Sequence, residues 1–235
     1  MGMLKMAYNN GMEDANLPKI AVVGVGGAGC NVITAFHGAL CNMKTIAINT
    51  DKAALHERTR ADEKIYICKE VLKGEGAMGN ASLGKTCADI HIDEIKRSVA
   101  GCDFVFVIAG LGGGTGTGAA PVVIEAAQSQ GIKTFAVAIE PFAFEGRDNV
   151  AKSGVQHIKA VCPHVQIVSN EKVLEVMPDL TMNAAFAAVN LSNLRHVTKL
   201  AGTVEDSYVQ MMAKPGSNGK TPREYPIGQL SAVES

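Results

Sequence analysis

The stretch FVFVIAGLGGGTGTG, residues 104–118, joins an apolar run to a run of glycines and threonines. Its first part, Phe104–Ala109, is continuously apolar, which is typical of a strand buried on both faces of a parallel sheet. In Gly110–Gly118 glycines alternate with two threonines, and such a segment presents backbone N–H groups and hydroxyls to a di- or triphosphate. The stretch therefore predicts a central strand whose carboxyl end leads into a phosphate-binding loop.

Strand-like and helix-like segments alternate on both sides of this stretch. The predicted strands are Lys19–Gly24, Thr45–Asn49, Ile65–Cys68, Phe104–Ala109, Thr134–Ile139 and Val165–Val168, and the predicted helices are Asn31–Leu40, Cys87–Val99, Ala119–Gln130, Ala151–Val161 and a long one from Thr181 onward. Short connections between alternating strands and helices favour a parallel sheet covered on both faces. We therefore predict a three-layer α/β domain over residues 19–213 that includes the long helix. Residues 1–18 and 214–235 are predicted to be tails, the second flexible and rich in Gly, Pro and Ser.

Composition excludes several classes of protein. The 235 residues are 47% hydrophobic and 19% charged, with a formal net charge of −1. This balance indicates a globular chain without the basic field that holds nucleic acid. No run reaches the ~18 apolar residues of a membrane helix, so we expect a cytoplasmic protein without membrane insertion. The cysteines form no CxxC pair, and we expect all six to be buried free thiols: Cys30, Cys41, Cys68, Cys87, Cys102 and Cys162.

A second glycine cluster, Gly24–Gly29, follows the first predicted strand and opens a helix. Glycines let a phosphate approach the backbone, and the helix N-terminus attracts it. By itself the cluster also suits a tight turn without a ligand, or a dinucleotide fold with Asp51 as the ribose-binding acid. A nicotinamide-dependent oxidoreductase, however, gives no account of Gly112–Gly118.

Four segments together resemble the cell-division GTPases of the FtsZ family, in the tubulin superfamily. They are GVGGAGCN (24–31), AINTDKAAL (47–55), GLGGGTGTGAAPVV (110–123) and PFAFEG (141–146). The resemblance covers residues 19 to about 200 and implies a Rossmann-like GTPase domain that binds GTP or GDP with Mg²⁺. It also implies that the Mg²⁺ is held mainly by the nucleotide phosphates, without dedicated protein ligands.

The resemblance assigns roles to individual residues around the nucleotide. It implies phosphate or Mg²⁺ contacts for Gly26, Gly27, Ala28, Asn31, Asn49, Asp51, Gly76, Ala77, Met78, Gly112, Gly113, Gly114, Thr115, Gly116, Thr117 and Gly118; ribose contacts for Pro141 and Glu145; and base contacts for Asn170, Phe186 and Asn190. Met78 replaces a family glycine. Asn149 aligns with a family arginine near the phosphates, for which Arg147 is a substitute two residues earlier.

Catalysis in this family needs a second subunit, whose acidic loop after the long helix enters the nucleotide site. Here the segment after Lys214-Pro215-Gly216 contains no Asp. The candidates to act in trans are therefore Glu224, Glu205 and Asp206. Only 235 − 216 = 19 residues follow Gly216, fewer than the family's second domain needs. We expect either a truncated family member or a naturally minimal one, with slow or absent GTP hydrolysis.

Three functional hypotheses remain at this point. The first is a GTP-binding FtsZ-like protein that assembles with itself, head to tail or as a dimer, or with a full-length FtsZ-like protein. The second is a nucleotide-gated regulatory protein without enzymatic activity, for example a cap on a filament. The third, an NAD(P)-dependent oxidoreductase, rests only on Gly24–Gly29 and Asp51.

Overall fold

Six parallel strands form the centre of the molecule. The computed structural model describes residues 17–38, 43–68, 74–176 and 181–212. The strands are β1 Ile20–Val25, β2 Met43–Asn49, β3 Glu63–Tyr66, β4 Phe104–Gly110, β5 Lys133–Glu140 and β6 Val165–Ser169. They pair in the order β3-β2-β1-β4-β5-β6. The sheet lies within one compact unit, Lys19–Thr198.

The strand order places a reversal of direction between β1 and β4. From β1 the chain proceeds outward through β2 to β3, whereas from β4 it proceeds to the other edge through β5 and β6. The register pairs Val25 with Ala109, so the two strands end side by side. A crevice opens at the carboxyl ends of the strands at such a switch point, and ligands of open α/β sheets bind there.

Seven helices connect and cover the strands within the described ranges. They are α1 Gly26–Phe36, α2 Ala81–Ile90, α3 Ile92–Val99, α4 Gly114–Gln128, α5 Asp148–Val161, α6 Glu171–Val176 and α7 Met182–Met212. A π-helical turn, Ala54–Arg58, and a 3-10 turn, Ala143–Glu145, lie in the connections. None of the helices in this part of the chain has both the length and the apolar character to span a membrane.

The two faces of the sheet bury different helices. Val23, Val107 and their neighbours on one face belong to a continuous apolar core with residues of α2, α3, α4 and α5. On the opposite face, a side chain at Gly24 would meet Ile33 of α1. All six residues of β1 are buried, as expected for a strand covered on both sides. The predicted three-layer α/β fold is therefore confirmed.

The helix that follows β4 begins earlier than its composition suggests. We predicted a glycine loop followed by a helix from Ala119, but α4 already begins at Gly114. Glycine is a poor helix former, yet here it permits close packing on α2. A Cβ at Gly118 would collide with Ala81 O, and one at Gly84 of α2 would collide with Gly114 O. The glycines therefore set the separation of two helices.

The region around α2 also differs from the prediction. The predicted helix Cys87–Val99 is two helices, which meet at His91. The first starts at Ala81, before the predicted start at Cys87, because the Asn80 side chain accepts a hydrogen bond from Leu83 N at 3.1 Å. This N-cap satisfies one of the free N–H groups of the first turn. At the first helix, α1 covers Gly26–Phe36 rather than the predicted Asn31–Leu40.

The expectation that all cysteines are free thiols is wrong for one pair. Cys68 and Cys87 form a disulfide, with their Cα atoms 4.8 Å apart. Their sequence separation of 19 matches no motif, and only the early start of α2 brings Cys87 to the end of β3. Cys30 and Cys162 are buried free thiols as predicted, and Cys102 is a partly exposed one. Cys41 lies outside the described residues.

Replacing Gly84 by Ala should destabilise the fold. The added methyl group would overlap Gly114 O, and the backbone of α4 cannot yield without disturbing the crevice. We expect the free energy of unfolding to fall by about 1–3 kcal/mol despite the better helix propensity of Ala. Urea denaturation measures the change. The control is Ser82→Ala on an exposed position of the same helix, and equal stability of the two variants would contradict the packing argument.

Candidate functional site

Two helices begin at the crevice with N-termini that no side chain caps. The N-cap residues Val25 of α1 and Gly113 of α4 form no side-chain hydrogen bond, and neither first turn contains an acid. The first N–H groups of a helix need partners, and the helix dipole makes that end positive. Two such ends beside one crevice are suited to bind an anion with several charged oxygens.

The other described helices have their N-termini occupied. Asn80 caps α2, and Thr181 Oγ1 accepts a hydrogen bond from Ala184 N at the start of α7. Acidic residues lie in the first turns of α3, α5 and α6. Uncapped, acid-free N-termini therefore coincide with the switch point among the helices of the described chain.

Glycines bring the two N-termini into backbone contact. Gly26 has a φ of +74°, a conformation that favours glycine, and a Cβ there would lie only 2.7 Å from Gly116 N. Beside them, a Cβ at Gly27 or Gly113 would meet no other segment of the described chain within 4 Å. The predicted phosphate-binding glycines thus divide into two groups. Some allow the close contact between the loops, and others leave open backbone for a ligand.

A third loop, Gly76–Met78, reaches the same place. A Cβ at Gly114 would lie 2.8 Å from Ala77 Cβ, so this loop packs directly on the start of α4. Ala77 is buried, whereas the Met78 side chain is 74% exposed and its backbone has a φ of +43°. The exposed side chain of Met78 does not fill the space between the loops. Its left-handed backbone is the conformation for which glycine is preferred.

Thr50 joins the third loop to the other two, and the sequence analysis did not identify it. Its Oγ1 accepts a hydrogen bond from Ala77 N at 3.0 Å and lies 2.6 Å from Thr115 Oγ1. The side chain is fully buried. Its position between Asn49 and Asp51, two predicted site residues, is the signal in the sequence that points to it.

We call Gly110–Gly118 the signature stretch. The hydroxyls of its two threonines form hydrogen bonds within the protein. Thr115 pairs with Thr50, and Thr117 Oγ1 accepts a hydrogen bond from Gly112 N at 3.0 Å. The sequence pattern suggested that these hydroxyls add to a phosphate-binding nest. In the structure both hydroxyls form hydrogen bonds that order the loops, and the backbone N–H groups add further donors at the crevice.

The turn after β2 is held by side-chain acceptors. Asn49 is buried, and its Oδ1 accepts hydrogen bonds from Thr50 N at 2.9 Å and Asp51 N at 3.3 Å. Asp51 Oδ1 accepts from Ala54 N, and its Oδ2 lies 3.9 Å from the Arg58 guanidinium. The backbone of Asp51 also pairs with that of Glu75 in an isolated antiparallel β-bridge, beside the third loop. The Asp51 carboxylate therefore lies at the rim of the crevice.

The opposite side of the signature stretch is lined by the 141–147 segment. Gly112 has a φ of +88°, and a Cβ there would lie 2.8 Å from Arg147 Cβ and 3.3 Å from Pro141 Cγ. Glu145 Oε1 accepts a hydrogen bond from Phe142 N at 2.9 Å, and Oε2 lies 3.8 Å from Arg147. The structure thus places the Arg147 stem against the signature stretch, while Asn149 is exposed in the first turn of α5.

An aromatic cluster continues from this segment to α7. Phe142 is fully buried; the Phe186 ring meets it edge-on at 5.2 Å, and Phe144 stacks on it at the same distance. Phe186 is 43% exposed and offers a free face. Asn190 is one helical turn further along α7 and is partly exposed.

Asn170 contributes an unsatisfied acceptor near this cluster. Its side chain is buried, yet Oδ1 has no hydrogen-bond partner within the described residues. Its backbone N–H donates to Glu140 O, next to the 141–147 segment. A buried acceptor without a partner costs about 1–3 kcal/mol, so a ligand that donates a hydrogen bond there is stabilised.

The site contains no activated thiol and few charges. Burial raises the pKa of Cys30 in α1 to about 12, and its Sγ lies 3.7 Å from Ile48 O. Cys30 is therefore a protonated core residue. The segments Gly24–Asn31 and Gly110–Gly118 contain neither Lys nor Arg. No group of three or more His, Cys, Asp or Glu side chains that could hold a metal ion occurs among the described residues.

The structure does not describe the side chains of the predicted trans-acting acids. Glu205 and Asp206 lie within α7, but their side chains are outside what the structure describes, as is the whole of Glu224. Ala28 and Asn31, which were also predicted to contact phosphate, are exposed in the first turns of α1.

Comparison with known proteins identifies the family of this arrangement. The model of the Tubulin/FtsZ family, GTPase domain, matches residues 19–178. The chain is 39% identical over 202 residues to the cell division protein FtsZ of Methanothermobacter thermautotrophicus, covering 84% of this chain and 50% of that protein. It is 43% identical over 171 residues to FtsZ 1 of Methanocaldococcus jannaschii, covering 72% and 47%. The chain spans about half the length of these curated relatives.

Solved structures agree with the sequence matches. An empty FtsZ dimer from M. jannaschii superimposes with a TM-score of 0.74 at 36% identity, covering 92% of this chain and 60% of that one. CetZ2 from Haloferax volcanii, solved as a GTPγS-bound protofilament, gives a TM-score of 0.71 at 27% identity, covering 80% and 59%. The chain belongs to the tubulin/FtsZ family and carries the GTPase domain of that family.

Proposed function

We propose that this chain binds GTP or GDP with Mg²⁺ in the crevice above β1 and β4, and that it acts in, or derives from, GTP-dependent filament assembly for cell division. The observation that carries the proposal is the pair of uncapped, acid-free N-termini of α1 and α4 in backbone contact. The names of the relatives support the process, and the GTPγS in the CetZ2 protofilament supports the ligand. The proposal takes residues 19–213 as the functional domain and the cytoplasm as the location; residues 1–16 and 213–235 lie outside the described residues.

In this proposal the backbone binds the phosphates. The N–H groups near Gly27 and Gly113 surround the inner phosphates, and the Ala77–Met78 loop lies over the terminal one. Arg147 supplies a positive side chain beside Gly112. Mg²⁺, bound to phosphate oxygens, offsets the remaining negative charge, and the Asp51 carboxylate is the protein oxygen at that rim. This donor set suits a hard cation that is held mainly by its nucleotide.

Side chains recognise the nucleoside. The exposed face of Phe186 stacks on the base, and the unsatisfied Asn170 Oδ1 accepts a hydrogen bond from it. Asn190 supplies an amide that donates and accepts. Glu145 keeps the capacity to accept from the ribose, although one of its oxygens is already occupied by Phe142 N.

A nicotinamide cofactor is the weaker alternative. It uses the first glycine loop and Asp51, whereas three loops converge on this crevice. The third loop, Gly76–Met78, packs on the start of α4, whereas a dinucleotide needs no contact from a third loop. We therefore favour a nucleoside di- or triphosphate. Binding of GTP but not NADH, measured by isothermal titration, separates the two ligands.

Replacing Gly27 by Ala should weaken nucleotide binding without affecting the fold. The methyl group meets no protein atom within 4 Å, but it enters the open space assigned to the phosphates. We expect the Kd for GTP to rise about tenfold or more, a cost of about 1.4 kcal/mol. Gly202→Ala on α7, also without neighbours within 4 Å, is the matched control. Unchanged binding by both variants would place the phosphates elsewhere.

Replacing Thr50 by Val should affect GTP more than GDP. Val keeps the shape of Thr but leaves Ala77 N without its acceptor, which loosens the loop over the terminal phosphate. We expect GTP affinity to fall about tenfold, with a smaller change for GDP. The conservative Thr50→Ser retains the hydroxyl and should restore binding. Equal losses for the two nucleotides, with a lower urea midpoint, would indicate a purely structural role.

We further propose that this 235-residue chain hydrolyses GTP slowly on its own. The segment Ser217–Glu224 contains no Asp, and a positioned carboxylate typically contributes about 10²–10⁴-fold. Phosphate release and light scattering, followed together after adding GTP and Mg²⁺, test this. Steady release with GTP-dependent scattering would overturn slow hydrolysis, and Glu224→Gln, Glu205→Gln and Asp206→Asn would then identify the acid.

The same measurement separates the two proposed cellular roles. Scattering without fast hydrolysis supports assembly, either with itself or with a full-length FtsZ-like protein. Bound GTP with neither signal supports a nucleotide-gated regulator whose bound nucleotide is sensed by another protein.

A further inference from the structure

The disulfide lies between two elements that shape the proposed phosphate site. Cys68 follows β3 and Cys87 lies in the middle of α2; both side chains are fully buried. The proposed GTP site needs no covalent bond here. The pair therefore calls for an explanation of its own.

On one side the disulfide is anchored to the sheet. Ile67 N donates a hydrogen bond to Asn49 O at 3.1 Å, which continues the β2–β3 pairing to the residue before Cys68. Cys68 has a φ of +69°, in the left-handed region where glycine is favoured over residues with a Cβ. A residue with a Cβ is locally unfavourable in this conformation, and the bond to Cys87 accounts for a cysteine at this position.

On the other side the disulfide is anchored, through α2, to α4, the helix that begins in the signature stretch. Cys87 belongs to α2, whose Gly84 packs on Gly114 O and whose Ala81 O meets Gly118 of α4. These are backbone contacts, so α2 and α4 form a rigid pair. The Cys68–Cys87 bond therefore ties the end of β3 to the helix that begins at the crevice.

The described segment Gly74–Asn80 lies between these two anchors, and we call it the terminal-phosphate loop. Asn80 caps α2, Ala77 N donates to Thr50, and Glu75 bridges to Asp51. Its C-terminal end is thus attached to α2 directly. The disulfide attaches the chain that precedes it to the same helix.

We propose that Cys68 and Cys87 are a redox-responsive clamp that sets the order of the terminal-phosphate loop, and with it the preference for GTP over GDP. The proposal rests on the function proposed above for that loop. Cytoplasmic disulfides are commonly redox-sensing, which agrees with a reversible bond rather than a permanent one. Closing the clamp pre-orders the loop, and pre-ordering a binding loop increases affinity.

The chemistry is thiol–disulfide exchange with a low-molecular-weight disulfide such as glutathione disulfide. The thiolate of one cysteine attacks a glutathione sulfur, forms a mixed disulfide and releases one glutathione thiolate. The second cysteine thiolate then attacks the protein sulfur of the mixed disulfide and releases the other. Two protein thiols thus lose two electrons and two protons, and glutathione disulfide gains the electrons. Reduced glutathione reverses both steps.

Burial makes the exchange depend on the loop. Neither sulfur is accessible in the closed structure, so exchange needs local opening next to the terminal-phosphate loop. Whatever orders the loop should therefore slow reduction. By thermodynamic reciprocity, if closing the clamp favours GTP, bound GTP must favour the closed clamp.

The test compares the full chain equilibrated with oxidised and with reduced glutathione. Alkylation after denaturation should show two fewer reactive thiols in the oxidised protein. Hydrogen exchange without nucleotide should be slower in Gly74–Asn80 when the pair is closed, and the Tm should be higher by about 10 °C. The ratio of GTP to GDP affinity should be at least about fivefold larger in the oxidised state.

Two variants and one control make the comparison specific. Cys87→Ala and Cys68→Gly each open the clamp, and the second also suits the left-handed backbone at that position. Both should behave like the reduced protein in either buffer. Cys102→Ser removes a free thiol outside the pair and should respond like the wild type.

The outcomes separate the clamp from the proposed function. Redox-dependent exchange of Gly74–Asn80 in a protein that binds no GTP would support the clamp and overturn the GTP site. GTP binding with the same affinity ratio in both states would overturn the clamp and leave the GTP site standing. A disulfide that excess reduced glutathione cannot open under native conditions would also overturn it, because the bond would then be a permanent crosslink.

Discussion

The contact of Gly26 with the backbone of Gly116 is the constraint on which the rest of the structure depends. It brings the first turn of α1 against the first turn of α4, and any Cβ at position 26 would lie 2.7 Å from Gly116 N. Only neighbouring parallel strands that end at the same level, as Val25 and Ala109 do, allow such an approach. The strand order follows, because β1 and β4 must then be adjacent and the other strands must extend outward from them. The crevice and its two positive N-termini are consequences of this one contact.

Three threonine hydroxyls and the Asn49 amide at the crevice form hydrogen bonds within the protein. Thr50, Thr115 and Thr117 bond to one another or to the loop backbone, and Asn49 holds the turn after β2. Because these polar groups are satisfied internally, they fix the loops without competing for an anion. The backbone N–H groups that remain carry partial positive charge that cannot be titrated or moved. A site of this kind needs no lysine, and neither glycine segment contains one.

The sequence predicted the strands well, because runs such as Phe104–Ala109 and Thr134–Ile139 are apolar throughout and the buried sheet demands that pattern. It also selected the glycine segments that meet at the crevice. The start of α4 was missed, since the glycines that suggest a loop are required there by packing against α2, a tertiary effect that overrides helix propensity. The Cys68–Cys87 pair and the Thr50 contacts were missed for a related reason. Both depend on where α2 and the third loop lie in space, and no local spacing encodes either.

The two halves of the site respond differently to change. In the proposed site the groups around the phosphates are backbone atoms. Gly26 and Gly114 allow close contact between the loops, so a substitution there would disturb binding and fold together, whereas Gly27 and Gly113 face open space. The groups proposed to bind the base are side chains, Phe186 with an exposed face and Asn170 with a buried oxygen that has no partner within the described residues. These can be replaced without moving the sheet. Phosphate binding should therefore be the inflexible property of this fold and base preference the adjustable one, because the first is built into backbone packing and the second depends on a few side chains at the edge of the same crevice.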